Sequence, residues 1–246
     1  MTADVWTVPG GPGVPAEPPA SPMIRLAEVI RVYREADVET IALRGVDLEI
    51  AAGEFVAIRG RSGSGKSTLL ALMAGSDRPT AGRVIVDGVD LSRAEEDERA
   101  RLRGTHVGIV FQGGNLVPFL DLEENVRLAA ELAGRPLDAA AARAALARVG
   151  LEGRGRHRPA QLSGGEQQRA ALAAVVATGA PVLLADEVTG ELDSANAELL
   201  LDLLAEVHAA DGMTLVLATH DPAVAARADR VVELRDGRVV SDGSPR

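Results

Sequence analysis

The most constraining feature of this chain is a single lysine. Of its 26 basic residues, 25 are arginine and only Lys66 is not. An ammonium is a compact point charge on a flexible stem, whereas guanidinium is a wide planar fork. A chain that uses arginine everywhere else keeps lysine for a place where the fork would fail. Lys66 stands in Gly60-Arg61-Ser62-Gly63-Ser64-Gly65-Lys66-Ser67, which fits the phosphate-loop pattern G-x-x-x-x-G-K-[ST]. Before it, Glu54 to Arg59 alternates like a short buried strand; after it, Ser67 to Ala74 reads as a helix. Strand, glycine-rich loop and helix start aim backbone N–H groups and the positive helix end at phosphates. There Ser67 is expected to ligate Mg²⁺ and Lys66 to reach the β- and γ-phosphates. The plain alternative is a glycine-rich turn after a strand, and the lone lysine weighs against it.

Length and charge narrow the class. The 246 residues suffice for one large domain or two small ones. With no cysteine, neither a disulfide framework nor a thiolate metal site is available. Aromatic residues make up 2% of the chain, so the core must be aliphatic. The formal net charge of -10 gives no long-range pull toward phosphate backbones, and no nucleic-acid partner is expected. Residues 1 to 22 hold six prolines, three glycines and no Lys or Arg, and read as a disordered leader. The globular pattern begins at Met23, which is read either as the true start or as the end of a flexible tail. The longest uncharged stretch, Ala170 to Ala185, is shorter than the ~20 residues a spanning helix needs. Gly179 and Pro181 also divide it.

Later motifs carry the rest of the chemistry. Pro181 to Glu187 is an apolar strand ending in Asp186 and Glu187. At the carboxyl edge of a parallel sheet such a pair faces the ligand crevice. Asp186 is placed to hold Mg²⁺ through water, and Glu187 to orient or deprotonate an attacking water. In Leu162-Ser163-Gly164-Gly165-Glu166-Gln167-Gln168-Arg169, Ser163 and Glu166 form a capping box for a helix running to about Ala177. The two glycines exceed that need, and are expected to leave the helix start bare for a phosphate. Glu95 to Glu98 reads as a solvated helix face, and His106, His157 and His208 as surface or loop residues.

Together these motifs resemble the ATP-binding cassette ATPases over roughly residues 24 to 242. They come in order: Tyr33, the loop 60 to 67, Phe111-Gln112, the signature 162 to 169, Asp186-Glu187, and Thr219-His220-Asp221. Within that family the chain is most similar to the lipoprotein-release, macrolide-efflux and cell-division branch, through segments such as Asn115 to Pro118 and Thr189 to Asp193. The resemblance implies that ATP and Mg²⁺ bind along Gly60 to Thr68, that is Gly60, Arg61, Ser62, Gly63, Ser64, Gly65, Lys66, Ser67 and Thr68. It implies that Tyr33 stacks on adenine and that Gln112 contacts Mg²⁺ and the γ-phosphate side. His220 would hydrogen-bond the γ-phosphate. Ser163, Gly164, Gly165 and Glu166 would meet the ATP of a second subunit in a head-to-tail homodimer. Lys66, Gln112, Glu187 and His220 form the expected catalytic set, and Ser67, Gln112 and Asp186 the expected metal set.

The resemblance further implies an α/β fold: a P-loop core (24 to 111 and 180 to 242) with a small antiparallel β subdomain, and a helical signature lobe over about 112 to 178. Helices are expected over Leu122 to Ala133, Leu137 to Val149 and Ala195 to Ala210. Val188 and Ala173 depart from the branch pattern, which has Pro and Arg there, and a slower or more partner-dependent ATPase is the expectation. The implied role is the ATPase subunit of a transporter, held on the cytoplasmic face of the membrane by a separately encoded permease. An ATPase driving a non-transporting signalling partner is the alternative, and a soluble ABC ATPase a weaker third.

Overall fold

The central strands of the two sheets differ in how many faces they bury. β1 (Ile24–Glu35) and β2 (Val38–Ile50) bury one face only; toward its end β2 alternates buried and exposed positions at Val46, Leu48 and Ile50. That is the pattern of an antiparallel sheet with one face on the core. β3 (Phe55–Arg59), β7 (Val182–Asp186) and β8 (Thr214–Thr219) are instead buried almost throughout, as parallel strands covered on both faces are. The computed structural model describes residues 21–35, 38–113 and 115–245. The leader expected over 1–22 lies outside them, apart from Ser21 and Pro22.

The antiparallel sheet runs β2-β1-β4-β5, where β4 is Ala81–Val86 and β5 is Val89–Asp90. The second sheet runs β10-β9-β3-β8-β7-β6, with β6 Val107–Phe111, β9 Arg230–Arg235 and β10 Arg238–Gly243. Its strands are parallel except for β10, which returns antiparallel on β9. The strands alternate with α1 (Lys66–Met73), α2 (Glu96–Thr105), α3 (Leu122–Leu132), α4 (Ala139–Arg148), α5 (Gly164–Thr178), α6 (Ser194–Asp211) and the short α7 (Pro222–Ala225).

Successive residues of the central strands enter different cores. Ala57, Leu183, Leu215 and Leu217 pack with α3, α4, α5 and α6 on one face. Val56, Ile58, Val182, Leu184 and Val216 pack with α1 and the antiparallel sheet on the other. Each fully buried Leu or Val contributes roughly 1.5–3 kcal/mol, so this period-two division fixes the register of β3, β7 and β8. Val188 and Ala173, the two departures from the branch pattern, both lie in the first of these cores.

Helix ends follow their caps. Asp121 and Glu124 form a capping box at α3, Asp138 caps α4, and Ser163 and Glu166 form the box at α5, which ends at left-handed Gly179. The expected helices are present with ends moved by one or two residues. Glu95 to Glu98 are exposed, with Glu96 paired to Arg99 and Arg103. One expectation is corrected. His208 is neither a surface nor a loop residue: it lies on α6, partly buried, its ring 5.7 Å from that of Phe55 and its Nδ1 2.7 Å from the Met213 carbonyl. Among the described residues, no helix is long and apolar enough to cross a membrane.

Candidate functional site

Three parallel neighbours deliver the polar residues to one edge. Arg59 at the end of β3 stands beside Thr219 of β8, and Ala218 stands beside Asp186 of β7. The loop after β3, the carboxylates after β7 and His220 after β8 therefore emerge together at the carboxyl ends of the strands. Two backbone bonds fix the exits: Gly60 N–H donates to the Thr219 carbonyl (3.2 Å) and Glu187 N–H to the Ala218 carbonyl (3.0 Å).

Lys66 is 4% exposed. Its Nζ donates to the carbonyls of Gly60 (2.9 Å) and Arg61 (3.2 Å) and pairs with Glu187 Oε1 at 3.0 Å. His220 Nδ1 lies 2.8 Å from Glu187 Oε2. Glu187 thus holds Lys66 with one oxygen and His220 with the other, and does so from a left-handed backbone (φ 47°) that is unfavourable for a residue with a Cβ. Burial pushes its carboxyl up, but the Lys66 and His220 contacts outweigh that and hold it below the usual glutamate range.

Asp186 behaves in the opposite way. Burial raises its carboxyl above the usual aspartate range; the Ser67 hydroxyl beside it opposes this and the neighbouring Glu187 adds to it. Its Oδ1 is buried with no hydrogen-bond partner. A buried acceptor without a donor is the deficit a cation would fill. With Ser67 the donor set is all oxygen, hard and partly anionic, which suits Mg²⁺. The start of α1 also fits an anion. Gly65 provides no side-chain cap, so the first N–H groups of the helix have no capping oxygen.

Lys66, Glu187, His220, Asp186 and Ser67 are thus brought together. Gln112 is not joined to them: its amide donates to Glu191 Oε1 at 3.2 Å. Tyr33 lies within β1, its hydroxyl donating to Asp77 (2.8 Å) and one ring face covered by the Arg31 guanidinium 4.4 Å away, which leaves a single face for stacking. The signature faces outward at Ser163 and Gly164, whereas Gly165 is buried. A Cβ on Gly165 would lie 2.6 Å from Asn196 Oδ1, while one on Gly164 would meet nothing nearer than Leu192 at 3.8 Å. The second glycine therefore makes room for α6, a reason the sequence did not suggest.

Two further residues link these parts. Gln168 donates through Nε2 to the carbonyls of Phe111 (3.0 Å) and Gln112, and Arg169 donates to Asn196 Oδ1 (3.2 Å), while Asn196 Nδ2 donates to Asp193 Oδ2 (2.7 Å). Adjacent residues of α5 thereby grip both segments that flank the site.

The comparisons with known proteins bear on this geometry. The ABC transporter family profile matches residues 43–190. The chain belongs to the ABC transporter family. It is 49% identical over 223 residues to the macrolide export ATP-binding/permease protein MacB of Hyphomonas neptunium, covering 90% of this chain and 34% of that one. To the pyoverdine export ATP-binding/permease protein PvdT of Pseudomonas putida it is 46% identical, covering 92% of this chain and 35% of that one. The chain therefore spans about a third of the length of the curated relatives it matches. Among solved structures, the post-hydrolysis dimer of the ATP-binding cassette MJ0796 with ADP and Pi matches with a TM-score of 0.85 and 38% identity, covering 91% of this chain and 99% of that one. This ABC chain has the fold and the ATPase cassette of its family.

Proposed function

We propose that the chain powers an exporter: two copies close head to tail on ATP, hydrolyse it, and drive a membrane permease on whose cytoplasmic face they sit. The observation that carries the chemistry is Glu187, shared between Lys66 and His220.

In this reading Lys66 binds the β- and γ-phosphates, with the backbone N–H groups from Gly60 to Thr68. A triphosphate offers Lys66 a stronger anionic partner, which frees Glu187 Oε1 to accept a proton from water. His220 keeps Oε2 and so orients the carboxylate while the water oxygen attacks the γ-phosphorus. ADP and phosphate leave, and the proton returns to solvent from Glu187. Ser67 and Asp186, together with Gln112 if it leaves Glu191, would hold Mg²⁺, which would neutralise charge on the phosphate oxygens. Tyr33 offers its free ring face to adenine. Ser163 and Gly164 supply the exposed helix start that meets the other copy's nucleotide.

The permease reading is supported by an apolar groove between β6, α3 and α5, lined by Val107, Leu116, Val117, Leu128, Leu132 and Val175. Leu132 is 71% exposed beside it, and Phe119, in the loop before α3, is 70% exposed. Side chains of that size left in solvent suit a partner helix. The names of the relatives favour export as the process.

The test is Glu187→Gln. The variant should bind ATP, lose turnover by about 10²–10⁴-fold, and elute with ATP as a dimer by light scattering. A monomeric variant that hydrolyses at the wild-type rate refutes the assignment.

A further inference from the structure

The phosphate loop has a second support, far from it in sequence. The turn between β9 and β10 is Asp236-Gly237, both residues left-handed (φ 48° and 75°). That is the two-residue turn a hairpin prefers. Gly237 N–H donates to the Ser64 carbonyl at 3.0 Å, and Arg44 N–H of β2 donates to the Gly237 carbonyl at 2.8 Å. One residue of the turn therefore bridges the phosphate loop to the antiparallel sheet.

The junction has no space to spare. A Cβ on Gly237 would stand 2.6 Å from the Ala42 carbonyl oxygen, and one on Gly65 would stand 2.7 Å from the same oxygen. Two glycines far apart in sequence thus converge on a single carbonyl of β2. Backbone atoms cannot step aside as a flexible side chain can, so a methyl group at 237 must displace the turn, the strand or Ser64. Phosphate binding by backbone N–H groups tolerates only about 0.5 Å of misplacement.

We propose that Gly237 is a positioning residue for nucleotide binding: it locks Ser64 and Gly65 against β2 so that the loop is formed before phosphate arrives. This rests on the reading that Gly60 to Thr68 binds nucleotide phosphates.

The fold supplies a matched control. The β4–β5 turn, Asp87-Gly88, has the same conformation (φ 47° and 78°), and a Cβ on Gly88 would meet nothing within 4 Å. Gly237→Ala and Gly88→Ala therefore carry similar backbone strain and differ in what the methyl strikes. With MgADP titrated by calorimetry at a temperature where both variants are folded, Gly237→Ala should lose about tenfold in affinity. Gly88→Ala should stay within about twofold of wild type. Equal affinity of Gly237→Ala and wild type overturns the proposal, as does an equal loss in both variants. Failure of the wild type to bind MgADP would instead sink the phosphate-loop reading. Should Gly237→Ala not fold, hydrogen exchange on the wild type decides. The Arg44 and Gly237 amides should be protected before any nucleotide is added, and free exchange at both in the nucleotide-free chain overturns the proposal.

Discussion

Lys66 and Glu187 form an ion pair across the site, Nζ to Oε1 at 3.0 Å, although they leave different strands. Lys66 also serves the Gly60 and Arg61 carbonyls, so three acceptors surround one nitrogen. An ammonium has three hydrogens in a tetrahedral spread; a guanidinium has donors in a plane and needs more room. Lys66→Arg should therefore fold but lose MgATP binding by about 100-fold or more. Calorimetric titration checks this, and retained affinity would show that charge alone suffices there.

Asp186 makes the fold less stable than it could be. Its carboxylate is partly buried, one oxygen is enclosed without a partner, and its ionised form is disfavoured. A carboxyl raised by folding lowers stability above its folded value, and the penalty lifts as the pH falls through that value. Asp186→Asn should thus raise the melting temperature of the nucleotide-free chain by about 2–4 °C at neutral pH while removing Mg²⁺-dependent turnover. Calorimetric scans at neutral and acid pH test this; a lower melting temperature at neutral pH contradicts it.

Glu166 carries the opposite sign. Its capping bond from the Ser163 backbone is the largest influence and holds it below the usual glutamate range. Stability from such a group is complete above its unfolded value and is lost as the pH falls through the lower folded value. Glu166→Gln should flatten acid unfolding there. Ser163→Ala should cost about 1 kcal/mol at neutral pH, read from chemical denaturation.

The paired glycines of the signature should separate by phenotype. Gly165→Ala drives a methyl into Asn196 and should destabilise the chain by about 1–3 kcal/mol. Gly164→Ala should leave the melt unchanged and weaken only ATP-dependent dimerisation. Equal melting curves for both variants would remove the distinction.

Much of the site was legible because its groups lie in short contiguous runs. Lys66 stands out by composition, and the apolar strand that places Asp186 and Glu187 can be read by eye. The α/β class followed from strands alternating with helices, and the layout of core and lobe from the family resemblance. What stayed hidden depends on contacts between distant segments. Nothing near Gly165 in sequence announces Asn196, and nothing near Gly237 announces Ala42. His208 reads differently from the sequence because its neighbour Phe55 lies on β3, far from it along the chain. Gln112 and Tyr33 are tied to Glu191 and Asp77 by partners that only folding selects.

The solitary Lys66 also gives the chain an unusual chemical labelling pattern. Every other basic side chain of the Lys/Arg class is an arginine, inert to acylating reagents, so an active ester finds one ε-amine in the whole sequence. That amine is enclosed and bonded on three sides. Acylation of this one side chain therefore reads out how often the site opens, without an introduced probe.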